Sequence, residues 1–256
     1  MTRRFVFFTL VAGLLALSLG SVDARAGQIV LPTTLDMLLP ASGPPPGGLY
    51  ATVGTTSPVI ELYNFEYTAS ALGGATVPLA SSFHVSGSTL DSGGFALPPG
   101  EVGVQFSSLP LSVTAGQSVD VTLSYSVTAL NGAQISDVYL AGNPAWANGG
   151  SVSVTESVTT TGGVNLLPPP ETLQIGSPMG NSTAGPVNLL MPETTIVVTK
   201  DIELSGGPAT GSGSASLSFT NQGYSSIPEP ASLALLGIGL SGLFTFRRFF
   251  RRTSVA

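Results

Sequence analysis

The chain has 256 residues, room for one ordinary domain, and its 9 % charged residues against 32 glycines and 20 prolines favour turns and strands over long surface helices. Cysteine is absent and His84 is the single histidine, which excludes a disulfide framework, a thiolate metal centre, a cysteine nucleophile and a histidine pair within one chain. All seven arginines lie in the terminal segments, and from residue 27 to residue 226 twelve acids face one lysine, Lys200, a net charge of −11 that repels phosphate backbones and argues against nucleic acid as a partner.

The N-terminus opens with Arg3 and Arg4, runs through residues 5–19 without a charge, and reaches Ala24-Arg25-Ala26 before Gly27. A positive start, an apolar stretch and small residues placed for signal peptidase make residues 1–26 a signal peptide, with Ala24 and Ala26 as the cleavage determinants. Thr2-Arg3-Arg4 begins like a twin-arginine motif, but Phe5-Val6 departs from its spacing, so the general secretion route is expected.

Residues 27–220 read as the extracytoplasmic domain. The chain as a whole is 43 % hydrophobic, which supplies enough apolar surface for a packed core. Strand signals recur along it at 59–67, 102–106, 119–127, 135–140, 152–158 and 196–204, and at Ala215, Leu217 and Phe219 alternating with polar residues. The clearest is the run Val119, Val121, Leu123, Tyr125, Val127, where every second residue is apolar, as a half-buried strand requires. Asn131-Gly132 follows it, a dipeptide whose members both tolerate positive φ, so residues 135–140 are expected to fold back as its antiparallel hairpin partner. Many short strands without a helical crossover predict an all-β fold, an antiparallel β-sandwich, with a jelly-roll-like arrangement as the second choice. Pro44-Pro45-Pro46 and Pro168-Pro169-Pro170 read as long surface loops rather than linkers, and residues 221–226 as a tether.

Two charges break the pattern of their own strands: Glu156 and Lys200 both fall on the otherwise apolar face. Either they pair, because a buried charge is costly without a partner, or a bulge or edge position turns each toward solvent. No nucleophile with a base and orienting group is recognisable, His84 sits in an ordinary strand-like setting, and no run of acids supplies the clustered oxygens that calcium needs. The expectation is therefore a protein that is not an enzyme and carries no catalytic residue, cofactor or metal. Trp146, Tyr63, Tyr67 and Tyr139 offer stacking faces for a carbohydrate, although packing in the core accounts for most such aromatics.

The C-terminal end has three parts in a fixed order. Pro228-Glu229-Pro230 comes first, then sixteen residues without a charge from Ala231 to Phe246, then Arg247, Arg248, Phe249, Phe250, Arg251 and Arg252. The uncharged run is about 24 Å long as a helix, somewhat under the ~30 Å hydrocarbon core, so Phe249-Phe250 and snorkelling arginines complete a transmembrane helix over 231–250. Arg247, Arg248, Arg251 and Arg252 hold that end in the cytoplasm, which leaves the domain on the far side of the membrane, the orientation that the signal peptide also demands. Two prolines keep the backbone just outside the membrane extended, a shape that suits a protease-like cleft.

Residues 227–252 resemble the PEP-CTERM sorting signal. The resemblance implies handling by exosortase, a membrane-embedded enzyme that cuts near the motif, with Pro228, Glu229 and Pro230 as the processing determinants. It also implies an exopolysaccharide-producing bacterial host, transient anchoring in the membrane, and a final place on the cell surface or outside the cell. On these grounds the chain is expected to be a structural or adhesive component of the extracellular matrix or biofilm, associated with exopolysaccharide; the alternative is an extracellular carbohydrate-binding module.

Overall fold

A computed structural model describes residues 28–29, 31–39, 50–54, 59–88 and 101–227. The signal peptide, Pro44-Pro45-Pro46, the processing determinants Pro228, Glu229 and Pro230, the helix over 231–250 and the arginine cluster lie outside the described residues. Among the described residues no helix is long and apolar enough to cross a membrane.

The described chain forms fourteen strands. They are β1 (Gln28–Ile29), β2 (Thr33–Thr34), β3 (Tyr50–Val53), β4 (Ile60–Leu72), β5 (Phe83–Ser88), β6 (Val102–Thr114) and β7 (Ser118–Ala129), followed by β8 (Gln134–Gly142), β9 (Ala145–Ala147), β10 (Ser151–Thr159), β11 (Leu173–Gly176), β12 (Thr183–Glu193), β13 (Thr195–Ser205) and β14 (Ser214–Ile227). One sheet has the order β1-β3-β4-β7-β13-β10-β11; the other has β12-β8-β14-β6-β5-β2, with β9 added to β14. Pairing is antiparallel except for the short parallel match of β1 with β3. Every strand signal read from the sequence coincides with a strand, and the fold is all-β.

Alternation explains how the two sheets meet. Val119, Val121, Leu123, Tyr125 and Val127 of β7 are buried in one core with Val102, Val104 and Phe106 of β6, on the other sheet. The ring of Phe106 lies 5.4 Å from that of Tyr125, and the Tyr125 and Tyr224 hydroxyls are 2.9 Å apart, so side chains of both sheets interdigitate. The outward positions of β7 and β13 carry Ser and Thr, and Ser124 with Thr199 and Thr128 with Thr195 share hydrogen bonds across the strands.

The Asn131-Gly132 turn forms, with φ of 58° and 72°, but it does not make the expected hairpin. Both edges of β7 are already occupied, by β4 and β13, so the chain leaving the turn crosses to the second sheet, where β8 pairs with β14 and β12. The same change of sheet separates β6 from β7, β11 from β12, β12 from β13 and β13 from β14. The chain thus passes repeatedly between two mostly antiparallel sheets rather than continuing as hairpins within one.

Residues 221–226, expected to be a tether, are instead part of β14, which continues to Ile227. Gln222 and Tyr224 point into the core there, and burial of a full tyrosine holds the segment in the sheet. Around Pro168-Pro169-Pro170 the chain is a loop tied to the body: Leu166 and Leu167 are buried, and the Leu166 N–H donates to the Val158 carbonyl at 2.8 Å. Strand β12, which contains Pro186 and Pro192, lies at the edge of its sheet with shifts of register, the position that a residue without an N–H permits.

Candidate functional site

The main polar feature of the interior is built from three strands. On β10, Val152, Val154, Glu156 and Val158 share the buried face. On β13 the same face carries Ile196, Val198, Lys200, Ile202 and Leu204. The register sets Glu156 directly opposite Lys200, so two strands that each contain one misplaced charge put the two charges together. The opposite sheet contributes Gln222 of β14, and all three side chains have 0 % exposure.

The hydrogen bonds form a closed triangle. Lys200 Nζ donates to Glu156 Oε2 and, at 2.5 Å, to Gln222 Oε1. Gln222 Nε2 donates to Glu156 Oε1 at 2.8 Å. Each carboxylate oxygen therefore has its own nitrogen, one from an amine and one from a carboxamide. Burial pushes the Glu156 carboxyl up, against the pull of Lys200 and the hydrogen bonds, and pushes the Lys200 amine down, against the pull of Glu156. Both directions move the pair toward its neutral form, an amine beside a carboxylic acid.

Two buried tyrosines, Tyr125 and Tyr224, lie near Glu156. Tyr125 stacks on Phe65 with centroids 5.3 Å apart, and its hydroxyl meets that of Tyr224. Both phenols are held well above their ordinary range, by burial first, with the charge of Glu156 adding to it. The three polar groups and both phenols are thus held away from bulk water.

Of the two readings of Glu156 and Lys200, a pair or two solvent-facing charges, the pair is present. Gln222 was not legible as their partner, because β14 has an irregularity between Leu217 and Phe219, where Asn143 Oδ1 accepts from the Ser218 and Phe219 N–H groups at 3.0 and 3.1 Å. That shift changes the phase of the alternation, so Thr220, Gln222 and Tyr224 face inward instead of continuing the series of Ala215 and Leu217.

The aromatic residues considered for carbohydrate stacking do not share one platform. Tyr63 and Tyr67 belong to one sheet, where the Tyr63 hydroxyl bonds Thr128 at 3.1 Å and the Tyr67 hydroxyl donates to the Pro78 carbonyl at 2.8 Å. Tyr139 and Trp146 belong to the other sheet, Tyr139 buried beside Ala141 and Trp146 36 % exposed on β9. His84 is exposed on β5 opposite Thr34 and Ser107. Among the described residues no group of three or more His, Asp or Glu could hold a metal ion.

A second polar group lies where β6, β8 and β14 begin or end together. Burial, and then the charge of Asp137, push the Glu101 carboxyl up to about 7, with a hydrogen bond to Ser225 opposing them. Since this folded value exceeds the unfolded one of 4.5, the associated stability is complete below about pH 4.5 and is lost as pH rises through about 7. In Glu101→Gln, urea midpoints measured across that window are expected to flatten; a slope equal to that of the wild type would mean that Glu101 titrates as in water.

The sequence profile described as the PEP-CTERM protein-sorting motif matches residues 226–252. No curated protein matches the chain. Among solved structures, the enzymatically active domain of bacteriophage CBA120 tailspike protein 4 is 12 % identical with a TM-score of 0.26, over 63 % of this chain and 19 % of that one. TmCBM61, solved in complex with beta-1,4-galactotriose, is 15 % identical with a TM-score of 0.25, over 60 % of this chain and 86 % of that one. A DUF4465 family protein from Bacteroides caccae is 11 % identical with a TM-score of 0.18, over 59 % of this chain and 91 % of that one. The chain thus spans about a fifth of the tailspike domain's length, and at these TM-scores the likenesses carry no argument.

Proposed function

Because the chain carries a PEP-CTERM protein-sorting motif over residues 226–252, which implies export, membrane anchoring before cleavage and exosortase as the processing partner, we propose that it is a structural or adhesive component of the cell surface or extracellular matrix. The observation that carries this reading is the course of β14. It crosses the middle of one sheet and ends at Ile227, adjacent to Pro228, so the strand leading to the anchor is hydrogen-bonded on both sides within the body. A load applied at the C-terminal end of the body is then taken up by a whole sheet rather than by a loose connector. The acidic surface and its rows of Ser and Thr suit a hydrated matrix rich in polysaccharide.

Processing is testable on its own. In cells that contain exosortase, the mature protein is expected to lack the tail beyond the motif and to appear in the surface or matrix fraction. The double variant Pro228→Ala/Glu229→Ala is expected to keep the tail and stay in the membrane. Normal tail loss in that variant, read by mass spectrometry, would refute the assignment of these residues as determinants. For the molecular role, Trp146 is the exposed aromatic of the stacking set. Glycan-array binding that disappears in Trp146→Ala would replace the structural reading with that of a carbohydrate-binding module.

A further inference from the structure

We propose that Lys200 and Gln222 become joined by an intramolecular isopeptide bond once the sandwich has folded, with Glu156 as the proton-transfer group. The reactants are already in place. A primary amine and a primary carboxamide, from strands of opposite sheets, touch through Nζ and Oε1, one bond from the carbon that the amine would attack. All three side chains are fully buried, and ordinary packing gives no reason to place a lysine there.

An amide is a poor electrophile, and an ammonium ion is no nucleophile, so the reaction needs a neutral amine and an acid that can protonate the departing nitrogen. The site provides both. Burial favours the neutral amine of Lys200 and the neutral carboxylic acid of Glu156. The geometry of the carboxyl is the decisive detail: one oxygen contacts the attacking nitrogen, Lys200 Nζ, and the other contacts the leaving nitrogen, Gln222 Nε2. One oxygen can accept a proton from the attacking nitrogen, and the other can deliver one to the leaving nitrogen once attack has made Cδ tetrahedral and given Nε2, which donates to Oε1 at rest, a free lone pair. Holding amine, amide and acid together also removes the entropic cost of a termolecular encounter.

The balance is simple. The Nζ–Cδ bond forms, the Cδ–Nε2 bond breaks, and one proton from Nζ passes by way of Glu156 to Nε2, which departs as ammonia. Glu156 ends in its starting state. No oxidant, metal or water takes part, and the full burial of Glu156, Lys200 and Gln222 protects the product from hydrolysis.

The product would link β13 of one sheet to β14 of the other, by a covalent bond between the two layers of a chain that has no cysteine.

The test is a mass measurement on the full chain, purified folded and then digested. Wild-type protein is expected to yield a branched peptide joining Lys200 to Gln222, one ammonia lighter, about 17 Da, than the sum of its two parts. Lys200→Arg and Glu156→Gln are expected to yield only linear peptides of full mass. The wild-type measurement decides the matter even if a variant fails to fold. Unlinked Lys200 and Gln222 peptides of full mass from the folded wild type would overturn the proposal, as would an ammonia loss that maps to Asn131-Gly132 or Asn148-Gly149. A branched peptide at wild-type yield in Glu156→Gln would overturn the role given to Glu156.

Discussion

Lys200→Met is expected to destabilise the domain by about 3–5 kcal/mol, before any contribution from a covalent link, because it removes one partner of a buried pair and leaves the other inside. Methionine is close to lysine in length and fills most of its volume, so the loss reports on polarity rather than on a cavity. What remains is Glu156, fully buried, with Gln222 Nε2 as its remaining hydrogen-bond donor. The companion Glu156→Leu/Lys200→Met/Gln222→Leu removes all three polar groups together. Without a covalent link it is expected to come close to wild-type stability or exceed it, since no desolvated group is left without a partner. With the link present, the triple variant falls below the wild type. Urea midpoints with unchanged m-values are the measurement. A loss of less than about 1 kcal/mol in Lys200→Met would show that the amine is not held in the dry triangle described here.

Tyr125→Ala is the second large effect, with an expected cost of about 3–5 kcal/mol. The ring is buried between Phe65, stacked at 5.3 Å, and Phe106, tilted at 5.4 Å, and thereby joins the two sheets at the middle of the core. Its loss leaves a void that neighbouring strands cannot fill, because hydrogen bonds to β4 and β13 hold β7 on both sides. Tyr125→Phe separates the two parts of the effect. It keeps the ring and strands the Tyr224 hydroxyl, at a cost of about 1–3 kcal/mol for a buried group without its partner. Equal midpoints for Tyr125→Ala and Tyr125→Phe would show that the ring contributes nothing to the junction.

How much of this was legible depended on whether a signal was local. Strands β7, β10 and β13 were readable because period-two alternation is written into each of them separately. The meeting of Glu156 with Lys200 was legible only as one of two alternatives: each residue violates its own strand, which calls either for a partner or for a turn toward solvent. Pairing between strands was not readable. Asn131-Gly132 states that the chain turns, but whether the next strand stays in the sheet depends on which edges are already taken, and β4 and β13 come from distant parts of the chain. The phase of β14 was hidden by an irregularity whose amide groups are satisfied by Asn143, a partner 75 residues away from Ser218, and with it the third member of the polar triangle. Strand β12 was missed because Pro186 and Pro192 argue for a loop, and only an edge position makes them compatible with a sheet.

The final strand of the described chain is not at a rim. β14 lies between β8 and β6, so until residues 214–227 are available the second sheet exists only as two fragments, β12 with β8 and β6 with β5 and β2. For a polypeptide threading outward through a translocon with its N-terminus leading, these are the last residues to emerge before the sorting motif. A chain exported in that way would present an incomplete fold for nearly the entire passage, with native closure only once residues 214–227 have emerged. Because these late contacts connect positions far apart in sequence, closure is also expected to be slow.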